Sequence, residues 1–147
     1  MSPFFSIVIP IYNEEDNIDE LHQRLTKVME ALCNAEGHTM ECYEIIIIDD
    51  GSTDRSWQII KEIHTTDARV KGICFSRNFG HHSAITAGLD ESRGNIVIIM
   101  DGDLQDPPEV LPRFLEKLKE GYHVIYAVRT KRKENIFKRA AYAIFYR

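Results

Sequence analysis

The chain has 147 residues, of which 44% are hydrophobic and 28% are charged, with a formal net charge of −5 at pH 7. This length accommodates one α/β domain with a substantial apolar core and excludes a second full domain. The residues up to position 128 are strongly acidic and those after it are basic, so nucleic acid is not expected as the main partner, whereas the tail suits a local anionic surface.

Cysteine usage predicts a reducing environment. The three cysteines, Cys33, Cys42 and Cys74, are odd in number and lack the spacing of a zinc site. We therefore expect reduced thiols in a cytosolic setting and no disulfide framework. No apolar run approaches the roughly 18 residues that a membrane span needs, and the opening segment predicts a strand and not a signal peptide.

Short apolar runs alternate with helix-like segments along the chain. The predicted strands are Phe5–Pro10, Tyr43–Ile48, Val70–Phe75, Asn95–Met100 and His123–Val128. The predicted helices between them are Asp16–Cys33, Asp54–His64, Ser83–Glu91 and Pro107–Lys119. This alternation, with strands that are apolar throughout, predicts an α/β fold whose doubly wound, mainly parallel sheet carries helices on both faces.

Polar residues follow most of the predicted strands, at the edge where such sheets bind ligands. The first strand leads into "PIYNEED", the second into "DDGSTD", the fourth into "DGDLQD" and the fifth into "RTKRK". Three of these edges are acidic and one is basic, so we expect the functional site there.

The stretch "DGDLQD" predicts a metal site. Asp101 and Asp103 flank a glycine, which lets the backbone bend so that both carboxylates, with Gln105, reach one point. Such oxygen ligands suit Mg²⁺ or Mn²⁺ that also binds substrate phosphates. Alternatively, Asp101 caps the strand and Asp103 makes a turn hydrogen bond. We favour the metal, because two like charges at a sheet edge repel each other without a cation. Asp106 is predicted to cap the helix that follows.

The stretch "IIIIDDGSTD" ends the second strand on a double aspartate. Capping of the next helix explains Asp54 but not Asp49 and Asp50, whose carboxylates could accept hydrogen bonds from a base or a ribose hydroxyl. The edge of the first strand adds an aromatic face, an amide and an acid, which could also be merely a helix start. The nucleotide-binding candidates from these two edges are Pro10, Tyr12, Asn13, Glu14, Asp49 and Asp50.

Two adjacent histidines, His81 and His82, precede the third predicted helix. They could meet a phosphate group at the helix start. Adjacent side chains point in different directions, so a metal-binding pair is not expected, and we favour a surface histidine.

Four motifs occur in order between residues 5 and 109: "IVIPIYNEEDNI", "IIIIDDGSTD", "SRNFGHHSAITAGL" and "MDGDLQDPPE". Together they resemble the family 2 glycosyltransferases of GT-A fold, and within them the polyprenyl-phosphate branch. That branch includes bactoprenol glucosyltransferases, aminoarabinose transferases of lipid A modification and dolichol-phosphate mannose synthases. The resemblance implies metal-dependent, inverting transfer of a sugar from a nucleotide-sugar donor to an undecaprenyl-type polyprenyl phosphate.

The resemblance also assigns roles to individual residues. It implies that Pro10, Tyr12, Glu14 and Asp50 hold the nucleoside, and that Asp101 and Asp103 with Gln105 hold the metal and the diphosphate. Three residues of the third motif would lie beside the donor: Arg77, Asn78 and Gly80. Phosphate groups would be bound by two residues of the tail, so that the catalytic candidates are Asp101, Asp103, Arg129 and Arg132.

We expect residues 1–128 to form the nucleotide-sugar-binding core and residues 129–147 a basic amphipathic tail. One helical face of the tail would carry Phe137, Ile144 and Phe145. A basic amphipathic helix can lie in an anionic bilayer interface, which would place the protein at the cytoplasmic face of the cell membrane. Alternatively, this face packs on the domain or on a further segment. Family members usually continue past this point, so the tail is expected to lead to a missing acceptor or membrane region, and self-association through it is a further expectation.

Donor identity stays open between alternatives. The similarity of "SRNFG" and "DLQDPPE" to the bactoprenol branch favours a UDP-sugar. A GDP-mannose-dependent mannosyltransferase and a non-catalytic nucleotide-binding module are the alternatives. A receiver-type signalling domain fits less well, because it needs a lone aspartate with a late-strand lysine, and a sugar nucleotidyltransferase would need a glycine-rich loop after the first strand.

Overall fold

The computed structural model describes residues 3–37 and 42–128. Its centre is a four-stranded sheet in the order β3-β2-β1-β4, with every neighbouring pair parallel. The strands are β1 (Phe5–Ile11), β2 (Tyr43–Asp49), β3 (Val70–Cys74) and β4 (Ile96–Ile99). The helices are α1 (Ile18–Ala35), α2 (Ser56–Thr66), α3 (His81–Glu91) and α4 (Leu111–Lys119), the last preceded by a 3₁₀ turn at Pro108–Val110.

Helix α3 covers one face of the sheet. The central strands β1 and β2 are buried along their whole length, and Val8, Ile46, Ile48 and Ala84 form a buried cluster with this helix. Gly88 makes the contact close, because a Cβ at this position would lie 2.7 Å from the Cδ1 atom of Ile48. A larger residue at Gly88 would therefore push α3 away from the sheet.

Helix α2 covers the opposite face. Gly72 of β3 pairs with Ile47, and side chains of neighbouring residues in a strand point to opposite faces. A Cβ at Gly72 would lie 2.8 Å from the Trp57 ring and 2.9 Å from Ile60, both on α2. Helix α1 packs against α2. The predicted doubly wound parallel sheet with helices on both faces is therefore confirmed.

The prediction of a fifth strand at His123–Val128 is wrong. These residues form no strand, and Val124, Tyr126 and Val128 are 81%, 77% and 69% exposed. Their alternating apolar pattern is typical of a strand, but a strand also needs a hydrogen-bonding partner. No strand of the described residues pairs with this segment, so the pattern alone does not produce one.

The expectation of reduced thiols is also corrected. Cys33, near the end of α1, and Cys42, just before β2, form a disulfide with their Cα atoms 6.2 Å apart. Cys74 is free and exposed. Neither the odd number of cysteines nor their spacing in the sequence shows that the end of α1 and the start of β2 lie close together.

A buried carboxylate fixes the entry of β4 into the sheet. Glu44 is 4% exposed and accepts hydrogen bonds from Ser6 Oγ at 2.6 Å, from the Arg93 N–H at 2.8 Å and from Lys71. Burial alone raises the pKa of Glu44, but these hydrogen bonds, with Lys71 foremost, outweigh it and hold the pKa below its ordinary value. Ser6 Oγ also accepts the Gly94 N–H at 2.8 Å. The turn before β4 is therefore anchored to β1 and β2.

A second charged cluster joins α1 to the turn before β3. Asp67 accepts hydrogen bonds from Arg69 Nε at 2.8 Å and contacts His22 Nε2 at 3.0 Å. Arg69 reaches Glu30 on α1 and lies over the Tyr43 ring, 4.7 Å from its centroid. Burial alone raises the pKa of Asp67, but the hydrogen bonds from Arg69 and His22 lower it to about 2.

Residues 3–113 belong to one compact unit, and a second unit begins at Phe114. In residues 3–37 and 42–128, no helix is both long and apolar enough to span a bilayer.

We expect Asp67→Asn to lower the free energy of unfolding by about 2 kcal/mol at pH 7. Because the pKa of Asp67 is about 2 in the folded state against an ordinary 3.8, its contribution is present above pH 3.8 and is lost as the pH falls towards 2. Urea unfolding at pH 7 and pH 3 measures this, with the exposed Asp90→Asn as control. A stability loss of the same size at both values would contradict the assignment.

Candidate active site

The loops after β1, β2 and β4 meet at the carboxyl edge of the sheet, together with the start of α3, around an open cavity of about 300 Å³. Eight of the predicted site residues line it: Pro10, Tyr12, Glu14, Asp50, Asn78, Gly80, Asp101 and Asp103. Four others complete the lining: Ile11, His81, Ala84 and Gly102. The sequence therefore predicts most of this wall, and the parallel strands explain why residues distant in sequence meet there.

The loops after β1 and β2 bind each other through backbone N–H groups. Asn13, with a φ of 56°, donates its N–H to Ser52 Oγ at 2.9 Å and accepts the Thr53 N–H at 2.8 Å. The Glu14 N–H bonds Ser56 Oγ at 2.9 Å. In return, Asp54 accepts the N–H groups of Glu15 and Ser56. Its carboxylate thus binds the first N–H of α2, although the N-cap position is Arg55 and not Asp54 as predicted. Asn13 thus faces the neighbouring loop and does not line the cavity.

The double aspartate has two separate structural roles. Asp49 is 1% exposed and its Oδ1 accepts the Ser52 N–H at 2.8 Å, which closes the turn after β2. Asp50 is 4% exposed and accepts the N–H of Phe79 at 2.7 Å and of Gly80 at 2.9 Å. Asp50 therefore holds the loop before α3 against the end of β2. Asp49 does not line the cavity, whereas Asp50 does.

Close backbone packing supports this loop. Gly51 has a φ of +73°, and a Cβ there would lie 2.7 Å from the Cα atom of Arg77. The guanidinium of Arg77 lies over the Phe79 ring, 4.2 Å from its centroid, and Arg77 does not line the cavity. Asn78 and Gly80 do, so the third motif contributes to the site partly through its backbone.

Two of the predicted metal ligands lie at the cavity. Asp101 and Asp103 both line it, and the Asp101 side chain is 48% exposed. Asp103 Oδ1 accepts the Gln105 N–H at 3.0 Å, so the alternative turn hydrogen bond is present, while its second oxygen leaves capacity for a ligand. Gln105 is exposed and does not line the cavity. Asp106 does not occupy the predicted cap position, because the helical turn begins at Pro108 after Pro107.

These carboxylates fit a divalent cation that is shared with a substrate. Both offer hard oxygen donors at a solvent-accessible edge, as Mg²⁺ and Mn²⁺ prefer. Within residues 3–37 and 42–128, no group of three or more His, Cys, Asp or Glu side chains forms a complete set of metal ligands. A cation held by Asp101 and Asp103 would leave coordination positions open for substrate phosphates and water.

His81, which the sequence predicts as a surface residue, is exposed and also borders the cavity. It is the first residue of α3, lines the cavity, and places its Nε2 atom 3.6 Å from Asp101 Oδ1. The sequence signal was its position at a helix start. The predicted phosphate-binding residues Arg129 and Arg132, and the tail 129–147 as a whole, lie outside the described residues.

The sequence profile described as "Glycosyl transferase family 2" matches residues 6–145. The chain therefore belongs to glycosyl transferase family 2, which confirms the resemblance of the four motifs.

Curated relatives agree with this membership. The chain is 54% identical over 144 residues to the uncharacterized glycosyltransferase YkcC of Bacillus subtilis strain 168, covering 97% of this chain and 42% of that protein. It is 42% identical over 139 residues to the undecaprenyl-phosphate 4-deoxy-4-formamido-L-arabinose transferase of Edwardsiella ictaluri strain 93-146, covering 94% of this chain and 41% of that protein. The chain thus spans about two fifths of the length of these relatives.

Solved structures support the fold. S. aureus TarS 1–349 in complex with UDP-GlcNAc superposes with a TM-score of 0.60 at 22% identity, covering 88% of this chain and 38% of that one. The mannosyltransferase PcManGT of Pyrobaculum calidifontis, in complex with GDP-Man and Mn²⁺, gives a TM-score of 0.63 at 21% identity, covering 80% and 33%. At these identities the likeness shows the fold alone, and the predicted GT-A fold is confirmed.

We expect Asp50→Ala to release the loop before α3, because two backbone N–H groups lose their acceptor, at a cost of about 1–3 kcal/mol. Amide hydrogen exchange measured by NMR should become faster at Phe79 and Gly80, while the Ser52 N–H stays protected. Asp49→Ala is the matched control and should give the reverse pattern. Unchanged exchange at Phe79 and Gly80 in Asp50→Ala would refute this role.

Proposed function

We propose that this protein transfers a sugar from a nucleotide-sugar donor, with a UDP-sugar favoured, to a polyprenyl phosphate of undecaprenyl type. The reaction is inverting and uses Mg²⁺ or Mn²⁺. The observation that carries the proposal is the cavity itself, whose lining combines the rings of Tyr12 and Pro10 with the carboxylates of Asp101 and Asp103. The relative from Edwardsiella ictaluri is named as an undecaprenyl-phosphate transferase, which supports the acceptor class.

The wall formed by the loop after β1 suits a nucleoside. Tyr12 is 46% exposed at the cavity, so its ring is available to stack on a base, and Pro10 adds apolar surface beside it. Glu14 and Asp50 supply carboxylate oxygens for a ribose hydroxyl or a base N–H. Asp50 retains acceptor capacity after binding two backbone N–H groups, because a carboxylate offers about four lone-pair sites.

The carboxylates of the loop after β4 suit a diphosphate that is bound through a cation. Asp101 and Asp103 would hold the cation, with Gln105 as a further proposed ligand, and Arg129 and Arg132 are proposed to bind phosphate groups of the donor or the acceptor. A divalent cation bound here offsets the negative charge that grows on the leaving nucleoside diphosphate. The acceptor phosphate is already largely anionic near neutral pH, so it can attack the sugar carbon without a strong general base. Direct attack of this kind inverts the configuration at that carbon.

The membrane location is part of the same proposal. A polyprenyl phosphate resides in the bilayer, so the reaction must take place at its surface. The basic, amphipathic sequence of residues 129–147 suits an anionic interface, and we place the protein at the cytoplasmic face of the cell membrane, with self-association through the tail as a further expectation.

Calorimetric titration with UDP and with GDP, each with and without Mn²⁺, tests the donor site. We expect binding of UDP that requires Mn²⁺, and a loss of at least about tenfold in affinity, or about 1.4 kcal/mol, in Asp103→Asn. The control is Asp106→Asn, in the same loop but outside the cavity lining. Preference for GDP would instead support mannose transfer, and UDP binding that is indifferent to both Mn²⁺ and Asp103→Asn would refute the proposed metal site.

Turnover separates a transferase from a binding module. The protein would be incubated with radiolabelled UDP-sugars and undecaprenyl phosphate in vesicles, and the lipid fraction would be counted. Label in that fraction, reduced by Asp103→Asn, is the expected outcome. Nucleotide binding without any lipid product would favour a non-catalytic nucleotide-binding role for this chain.

A further inference from the structure

We infer that His81 binds the diphosphate of the donor through its imidazole ring and is therefore a donor-binding residue of this site. The inference rests on the proposed function, since it assumes that a nucleoside diphosphate occupies the cavity. It assigns a function to a side chain that sequence reasoning placed at the surface.

The backbone places His81 at the cavity. Gly80 adopts a φ of +97°, a conformation that residues with a side chain rarely take, and its N–H is held by Asp50 Oδ2 at 2.9 Å. Helix α3 begins immediately afterwards, so its first residue is fixed relative to the end of β2. His81 lines the cavity as a result, and the imidazole is 53% exposed and accessible to a ligand.

The imidazole also lies beside a proposed metal ligand. His81 Nε2 is 3.6 Å from Asp101 Oδ1, which is longer than a good hydrogen bond. The ring nitrogen can therefore turn to a phosphate oxygen bound next to Asp101 without breaking a short contact. A neutral imidazole suffices for this role, because either ring nitrogen can carry the donated proton.

The remaining lining favours a hydrogen-bond donor at this place. The side chains of Glu14, Asp50, Asp101 and Asp103 bring four carboxylates to this cavity, and a diphosphate there needs hydrogen-bond donors as well as a cation. Among the lining side chains of the described residues, the donors that can meet a phosphate belong to Tyr12, Asn78 and His81. Of these, the structure pairs His81 with Asp101. The N-terminus of α3, an 11-residue helix, adds a favourable field for an anion at the same place.

The next residue provides a matched control. His82 has the same side chain, is also exposed in the first turn of α3, and does not line the cavity. Consecutive residues of a helix face different directions, and the two rings are 6.1 Å apart between centroids. His82→Ala removes the same side chain from the same helical turn as His81→Ala does, but it does not change the cavity lining.

The test compares His81→Ala, His81→Gln and His82→Ala by NMR titration with uridine and with UDP in the presence of Mg²⁺, after circular dichroism has shown unchanged melting temperatures. We expect His81→Ala to weaken UDP binding about tenfold while uridine binding is unchanged, because only the diphosphate contact is lost. His81→Gln, which keeps an N–H donor, should recover most of the affinity, and His82→Ala should bind as the parent does.

Two results would overturn the inference while the proposed function stands. One is UDP binding by His81→Ala that equals that of the parent chain. The other is an equal loss for uridine and UDP, which would mean that the substitution disturbs the whole site. Failure of the parent chain itself to bind UDP or GDP would instead overturn the proposed donor site, and this inference with it.

Discussion

The buried carboxylate of Asp50 accepts backbone N–H groups from both Phe79 and Gly80, and the shape of the candidate active site depends on this contact. It links the end of β2 to the start of α3, in addition to the close backbone packing of Gly51 on Arg77. A buried carboxylate without these two donors would be costly, so the contact fixes the loop geometry strongly. Asn78 and His81, on either side of the two donors, line the cavity.

The position of Asp101 and Asp103 depends on a contact at the other end of the sheet. Glu44 and Ser6 hold the turn that leads into β4, and β4 then runs parallel to β1 to deliver Asp101 to the cavity. Gly102 allows this approach, because a Cβ there would lie 2.6 Å from Ile11 Cγ2. The two proposed ligand walls are thus each positioned by a buried acid, one at each end of the strands.

The sequence predicted the sheet well, because β1 and β2 are apolar at every position and such strands belong in a parallel sheet covered on both faces. It failed at His123–Val128 and at the Cys33–Cys42 disulfide, because strand pairing and cysteine proximity depend on distant parts of the chain. It brought Asp101 and Asp103 to the correct edge. It could not show that Asp50 accepts hydrogen bonds from a loop almost thirty residues away, because no local sequence pattern encodes that partner. The roles of the carboxylates toward a ligand stay predictions.

The interlocked loops after β1 and β2 have a consequence for how a nucleoside would be recognised. Asn13 exchanges hydrogen bonds with Ser52 and Thr53, and the Glu14 N–H bonds Ser56 Oγ, so these loops have their shape before any ligand arrives. Flexible loops lose conformational entropy when they close on a ligand, and that loss weakens binding. Here the loss has already occurred during folding. These loops are therefore preorganised, and a nucleoside that binds there as proposed would lose little affinity to loop ordering.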